Sequence, residues 1–599
     1  MNKFILLALL GTTMISPHSI AADIPNTETR IPQANALFAN EVAEIFLANM
    51  PFEVQCDAGY EQFAPTGTNI AMGYTSKWYK TLDTLSNSLD LFNTMADDPM
   101  TERQIHLVRA IVNDYRTMLN LNAKHRRLCL FMPPNLVDPQ DAMDVVGYIF
   151  GNVNNLITKG FSKETAAQRF AFYVGNDENH GFIQGAIAEL EWLIALYGQS
   201  GDILYPSIRQ INDMVDQNKI DAILREIPSL IGDGHGELIA EFSKQIKQYQ
   251  DFIAEKITPY APQESQLPRE LYLTYLRLYG VFDTPEQLIE RAQRDWEIYY
   301  KRYQDLALEV AQEHDLDITD PAQLIDKLEK ESGSSDKNVV MQRYRDAQAK
   351  MEDIIQRDRL MTLPERAIQM RPGTDAEEAS FPVPHVSTPN FIGNTGTVWP
   401  TFVLCDLVNN SSPLSADPLI VHEGRPGHDL QFSRMLESYL HGKMNLIEAV
   451  IASNSANAEG WAHYVEYLMT PYMSKEAQLS AIKDQLLRIG RMFLDPQLNT
   501  QQIRYNDIVQ FVTEKIGHAG MAKSEANRYS FMIPGQATSY RYGAIKIMDL
   551  RDKLKAEMGD DFTLQAFHDG ILSFGLLPVD LYADVLPQRM RDYSSNVNA

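Results

Sequence analysis

The chain is short of cysteine and of positive charge, and each shortage narrows what it can be. It has three cysteines in 599 residues, Cys56, Cys129 and Cys405, and no Cys-x-x-Cys pair. That excludes a thiolate metal site and a disulfide-dense scaffold. An oxidising compartment would permit Cys56 and Cys129 to bridge, leaving Cys405 free. Lys and Arg number 53 against 79 Asp and Glu, for a formal net charge of -26. So acidic a surface repels nucleic acid and anionic lipid, which argues against both as partners. Beyond the N-terminus no apolar run is long enough to cross a bilayer, so stable membrane insertion is not expected. Internal repeats and low-complexity tracts are also missing. What remains is an ordinary globular composition, 44% apolar and 22% charged, in a chain too long for one simple core. Nothing in these features fixes an oligomeric state.

The first residues read as an export signal. Lys3 precedes an apolar run that begins at Phe4 to Leu10, and small residues follow at Ser19, Ala21 and Ala22. Residues 1–21 are therefore expected to be a cleaved signal peptide and the mature protein to be periplasmic. Helical patterning dominates the rest. Thr284-Pro285-Glu286-Gln287 is a helix start with a capping box, and an apolar stripe follows at Ile289, Ala292, Trp296, Tyr299, Tyr303, Leu306 and Val310. A second long helix is predicted from Lys337 to Leu360, with a break near Pro364. Others are predicted at about 35–49, 76–96, 101–121, 164–197 and 236–256. Ile257–Glu270 and Arg371–Phe391 read as irregular connectors. Gly396–Val408 is the best strand candidate. The pattern predicts an N-terminal helical region over 22–262 and a second helical region over 263–599, which contains the chemistry-bearing motifs described next.

One stretch carries chemistry, VHEGRPGHDLQFS, residues 421–433. In H-E-x-x-H, histidines at i and i+4 share a helix face. His422 and His428 are instead six residues apart, about 240° around an ideal helix. They can meet at one metal only if the helix is interrupted. Pro426-Gly427 sits in the gap and supplies the means, since proline removes an N–H and glycine tolerates unusual backbone angles. A local bulge there would swing His428 back toward His422. Further on, NAEGWAHYVEYLM supplies Glu459 on a separate helix, as the third ligand of a His-His-Glu zinc site. His463 and Glu466 share the Glu459 face. Both suit a role in orienting ligands, and His463 has the alternative of reaching the metal itself.

At these residues the chain resembles the bacterial family grouped as domain of unknown function 885, whose members look like metallopeptidases related to the gluzincins. HEGRPGHDLQ is similar to that family's H-E-x-x-P-G-H-H-x-Q, and EGWAHYVE to E-G-W-x-x-Y-x-E. PGQATSYRYG (residues 534–543) and FHDGILSFGLLPVDL (567–581) continue the likeness in order. The resemblance implies a mainly α fold, a large helical metallopeptidase-like body with a central cleft and a small β element beside the zinc site, whose Val398–Val403 segment would offer an edge to an extended peptide. The chain departs from the pattern at Asp429, in place of a second adjacent histidine, and at Asn499, in place of a histidine that follows Asp495.

The expected function is peptide-bond hydrolysis by an exported zinc metallopeptidase. One Zn2+ is expected on His422, His428 and Glu459, with Glu423 as general base. Tyr540 is the candidate oxyanion donor, or else a buried structural tyrosine. Gln536, Arg541 and Asp495 are candidates for orienting or substrate-binding roles, and His568 either joins them or is a packed histidine. Asn499 keeps open an inactive or weakly active zinc or peptide-binding protein. A helical interaction protein without metal would leave these residues scattered. A hydrolase of non-peptide amides would use the same metal chemistry.

Overall fold

The computed structural model describes residues 74–597, together with position 42, apart from 94–97, 133–139, 142, 159–160, 177–179, 375–376, 379–382, 390, 392–393, 408–409 and 453. The predicted signal peptide, the predicted helix at 35–49 apart from Val42, and Cys56 with its candidate bridge lie outside the described residues.

The protein is mainly helical, and its helices begin where short polar side chains can cap them. Helix α1 spans Tyr74–Asn93 and α2 Pro99–Lys124. Asp98 caps α2 by accepting from the amides of Met100 and Thr101, both at 2.9 Å. Two helices, α3 (Lys163–Val174) and α4 (Phe182–Gly198), replace the single one predicted at 164–197. The division falls at Gly175, whose φ of 77° lies in the left-handed region that ends helices. Helix α5 runs over Gly236–Phe252. Helix α6, Pro285–Glu313, carries the predicted capping box: the Gln287 amide donates to Thr284 Oγ1 at 3.3 Å, and the Thr284 amide to Gln287 Oε1 at 2.9 Å. Its buried positions include Ile289, Ala292, Tyr303 and Val310, with Trp296, Tyr299 and Leu306 half-buried beside them. Helix α7 spans Lys337–Arg357, starting where the pattern predicts and ending three residues before Leu360.

A short antiparallel pair joins β1 (Phe131–Met132) to β2 (Gln140–Asp141). The larger sheet has strands β3 (Gln369–Pro372), β4 (His385–Ser387) and β5 (Thr401–Leu404) in the order β3-β5-β4. The sheet corrects two expectations. Arg371–Phe391 is not wholly irregular, since it holds the end of β3 and all of β4. The predicted strand is shorter than expected and central, parallel to β3 and antiparallel to β4. Both of its edges are hydrogen-bonded over Thr401–Val403, so that part of Val398–Val403 cannot receive a peptide by edge addition.

The C-terminal helices hold the candidate site: α8 (Pro413–Glu423), α9 (His428–Leu440), α10 (Ser455–Met469), α11 (Lys475–Asn499), α12 (Ser539–Met558) and α13 (Leu564–Leu572). One buried apolar cluster runs from Trp78 to Met590, so these helices share an interior with the N-terminal ones. Helices α6 and α11 pack along each other, as do α10 and α12. The α10–α12 crossing is backbone on backbone. A Cβ on Gly543 would lie 1.8 Å from the Ala456 carbonyl oxygen, and one on Gly460 2.6 Å from Gly543 Cα. Among the described residues no helix is long and apolar enough to cross a membrane.

The crossing yields a direct test. Gly543→Ala should force the two helices apart and destabilise the protein by at least ~2 kcal/mol, the usual cost of overpacking a tight core. The exposed control Lys553→Ala should stay within ~0.5 kcal/mol. Denaturant midpoints measure both.

Candidate metal centre

The site begins with a turn that separates two helices. Ser412 caps α8 by accepting from the Leu414 amide at 3.1 Å, and Pro413 occupies the first turn. The helix ends at Glu423, and α9 opens at His428. Between them the chain turns through Gly424, Arg425, Pro426 and Gly427, with a cis Arg425–Pro426 peptide. Neither glycine has room for a side chain. A Cβ at Gly424 would meet Gln348 Oε1 at 2.4 Å, and one at Gly427 the His422 carbonyl oxygen at 1.8 Å. The predicted interruption is therefore present, as a complete break between helices rather than a bulge within one.

Buried polar groups clamp the turn from several sides. Arg425 donates from Nε to Asp429 at 2.8 Å, from Nη1 to Glu352 at 2.9 Å and from Nη2 to the Arg366 carbonyl at 2.8 Å. Arg366 donates to Asp429 at 3.0 Å and to the Pro400 carbonyl at 2.9 Å, which ties the turn to the start of β5. Trp461 Nε1 donates to the Pro426 carbonyl at 3.0 Å, linking the turn to α10. The result brings the rings of His422 and His428 to 5.0 Å, with their planes at 83°.

Glu459 on α10 completes the group. Its Oε2 is 3.6 Å from His422 Nε2 and 3.3 Å from His428 Nε2. One donor atom from each of the three lies within 4.8 Å of the others. That oxygen is buried with no hydrogen-bond partner, so it faces the imidazoles without being satisfied by them. Glu423 Oε1 is 3.9 Å from His422 Nε2.

Behind the cluster, Glu466 accepts from His422 Nδ1 at 2.7 Å and from His463 Nδ1 at 2.9 Å, with Arg488 Nε at 3.2 Å. A carboxylate only accepts, so both histidines present N–H to it and Nε2 of His422 is left facing Glu459. Burial would raise the Glu466 carboxyl, but Arg488 and the histidines hold it well below the usual carboxylate range. Burial and Arg488 push His422 down, yet the Glu459 and Glu466 carboxylates outweigh them and raise it to about 9. The Glu459 carboxyl is likewise held low, against burial, by the two histidines. The cluster thus favours positive charge between its imidazoles and Glu459, and His422 Nε2, His428 Nε2 and Glu459 Oε2 are the atoms that could hold a cation.

A family model described as a bacterial protein of unknown function, DUF885, matches residues 151–586. The chain belongs to the DUF885 family. Two solved structures have a similar fold. A candidate lipoprotein of unknown function from Shewanella oneidensis is 17% identical with a TM-score of 0.67, over 92% of this chain and 99% of that one. A candidate lipoprotein from Colwellia psychrerythraea is 15% identical with a TM-score of 0.70, over 94% and 100%. No curated protein matches.

The remaining predicted residues of this DUF885 chain divide between neighbours of the cluster and supports away from it. His463 does not reach toward His428; it is bound to Glu466, and its Nε2 accepts from the Tyr467 hydroxyl at 3.1 Å. Tyr540 lies beside the site, its ring parallel to that of His422 at 6.4 Å. Its hydroxyl oxygen accepts from Arg528 Nη2 at 3.0 Å. Gln536 accepts from Arg528 and donates to Ser455 Oγ at 2.8 Å. Asp495 does not face the histidines. It accepts from the Tyr272 hydroxyl at 2.8 Å, the Gly535 amide at 2.9 Å and Asn499 Nδ2 at 3.1 Å, so it anchors the turn that carries Gln536. Arg541 follows Tyr540 on α12 but points about 100° away; it pairs with Asp295 at 2.8 Å and rests on the Tyr299 and Tyr467 rings. His568 donates to the Leu360 carbonyl at 2.6 Å and accepts from Tyr464 at 2.8 Å, as a packed histidine.

Both departures from the DUF885 pattern have structural duties. Asp429 is the buried counter-ion of Arg425 and Arg366. Asn499 donates to the Asp495 carbonyl at 3.0 Å and to the Tyr529 carbonyl at 3.1 Å. The sequence reading missed Arg425, Arg488, Arg491 and Arg528. A signal for two of them was available, since Arg488 and Arg491 stand three residues apart in LLRIGRMF, an otherwise apolar helical run.

His568 provides a pH test. Burial lowers it to about 4, whereas an unfolded histidine titrates near ~6.5. The unfolded chain therefore binds the extra proton in that window. The stability from a neutral His568 is complete above ~6.5 and is lost as pH falls toward 4, to a total of ~3 kcal/mol. His568→Gln keeps a donor and an acceptor but does not titrate. Its denaturant midpoint should fall less than the wild type's over this window; an equal fall contradicts the assignment.

Proposed function

We propose that the protein is an exported zinc-dependent metallopeptidase. The observation that carries this reading is the meeting of His422, His428 and Glu459 from three separate helices, with the Glu423 carboxylate beside them. These three residues would hold one Zn2+: two imidazole nitrogens and a carboxylate oxygen are a donor set of catalytic zinc, and among the described residues no cysteine joins the cluster. The buried, unsatisfied Oε2 of Glu459 fits a ligand atom. Bound there, zinc would supply Lewis acidity toward water and toward a substrate carbonyl.

The protein's own groups account for the rest of the reaction. Glu423 takes the proton of the attacking water and passes it to the leaving amine. Glu466, fixed by Arg488, holds the His422 ring in one tautomer and one orientation. Tyr540 receives its hydrogen bond from Arg528, so its own proton is free to be donated to the oxygen of the tetrahedral intermediate. Burial keeps that phenol above its ordinary pKa and hence protonated. A peptide is the proposed substrate. Export to the periplasm is proposed from the N-terminal apolar segment, and the similar Shewanella and Colwellia proteins are described as candidate lipoproteins.

Purified protein should carry one zinc per chain by elemental analysis. Glu423→Gln should keep that zinc and lose ~10²–10⁴-fold in turnover of a mixed peptide digest. His428→Ala should lose the zinc. Zinc bound without chelator-sensitive hydrolysis would indicate a binding protein instead.

A further inference from the structure

Three guanidiniums gather near Tyr540, and among the described residues only two of them are in ion-pair contact with a carboxylate. Arg491 is bidentate on Glu525, at 2.8 and 2.7 Å, and lies 4.5 Å from the centre of the Tyr540 ring. Arg488 is paired with Glu466. Arg528, at 5.4 Å from the same ring, has no ion pair among the described residues. Its Nη2 donates to two uncharged oxygens, Gln536 Oε1 and the Tyr540 hydroxyl, and its Nε is buried without a partner. The Glu525 carboxylate acts on it only through space and is already engaged by both Arg491 donors, so the planar fork of this part-buried guanidinium keeps donors that match a further carboxylate.

The placement of Arg528 is firm and it remains reachable. Gln536, which holds it, is itself held by Ser455, the first residue of the helix that carries Glu459. Asp495 fixes the Gly535 amide of the same turn. The side chain is only half-buried, so solvent reaches it. Tyr540 spans the distance to the metal centre, its hydroxyl on Arg528 and its ring parallel to His422.

We infer that Arg528 docks a carboxylate of the substrate, one tyrosine's width from the candidate metal ligands. A free C-terminus and an Asp or Glu side chain both supply that group. The consequence for catalysis, cleavage of an amide close to a carboxylate, rests on the metallopeptidase reading; the docking itself does not.

The test is calorimetric binding to zinc-loaded Glu423→Gln protein. Three matched N-acetylated peptides serve as probes: one with a free C-terminus, one amidated, and one amidated with an Asp next to its last residue. A carboxylate-bearing peptide should bind on the order of 10-fold tighter than the neutral amide, and whichever of the two does so identifies the source. Adding Arg528→Met should abolish the difference, and Arg528→Lys should restore only part of it, because lysine lacks the fork. Equal binding of all three peptides overturns the inference, as does a preference that survives Arg528→Met. If Arg528→Met does not fold, a lysine variant with the full wild-type preference overturns it. Wild-type protein with the preference but no hydrolysis sinks the peptidase reading alone, and hydrolysis without the preference sinks this inference alone.

Discussion

The buried ion pair between Arg425 and Asp429, inside a turn that only glycine can line, is the constraint on which the site depends. An α-helix would carry His422 and His428 to different faces. The chain instead stops at Glu423 and restarts at His428, and the intervening loop has no room for a Cβ at either glycine. Four polar residues, Arg425, Asp429, Glu352 and Arg366, are fixed against one another around it. Loss of one partner would strand the other charges in a dry interior, at a cost of ~3–5 kcal/mol. The turn therefore has a single stable shape, and that shape aims two imidazoles at one point.

The third residue arrives by a different device. Glu459 sits on α10, whose neighbour α12 approaches until Gly460 and Gly543 touch backbone to backbone. That contact places Tyr540 of α12 next to the histidines that α10 serves. The surroundings are divided by charge. Glu459, Glu466 and Glu423 surround the imidazoles, with Arg488 paired to Glu466, while Arg491, paired to Glu525, and Arg528 flank the Tyr540 ring. Under the proposed reading such a site would hold a cation beside the imidazoles and receive an anion at Arg528, and fixed dipoles of that kind need no rearrangement during a reaction.

Much of this was legible in the sequence because it depends on local rules. A capping box and apolar spacing located α6, helical patterning located α2 and α7, and the six-residue gap with Pro426-Gly427 required a break between the histidines if they were to share a metal. Glu459, His463 and Glu466 were placed on one face by counting residues. The illegible parts depend on tertiary partners. The centre strand β5 read as an edge because a strand's neighbours are not encoded in its own residues. Arg541 is adjacent in sequence to Tyr540 but faces Asp295 and two aromatic rings. Asp495 and His568 resembled site residues yet serve the Gln536 turn and a buried hydrogen-bond chain. Arg528 lies on a π-helical turn whose partners come from elsewhere in the chain, and no motif announced it.

The central claim is that this turn assembles a single zinc site, and X-ray absorption at the zinc edge tests it most directly. The account predicts two imidazole nitrogens and a carboxylate oxygen at ~2.0–2.2 Å, with one imidazole lost in His428→Ala. A sulfur ligand, or a zinc shell that His428→Ala leaves unchanged, would contradict it.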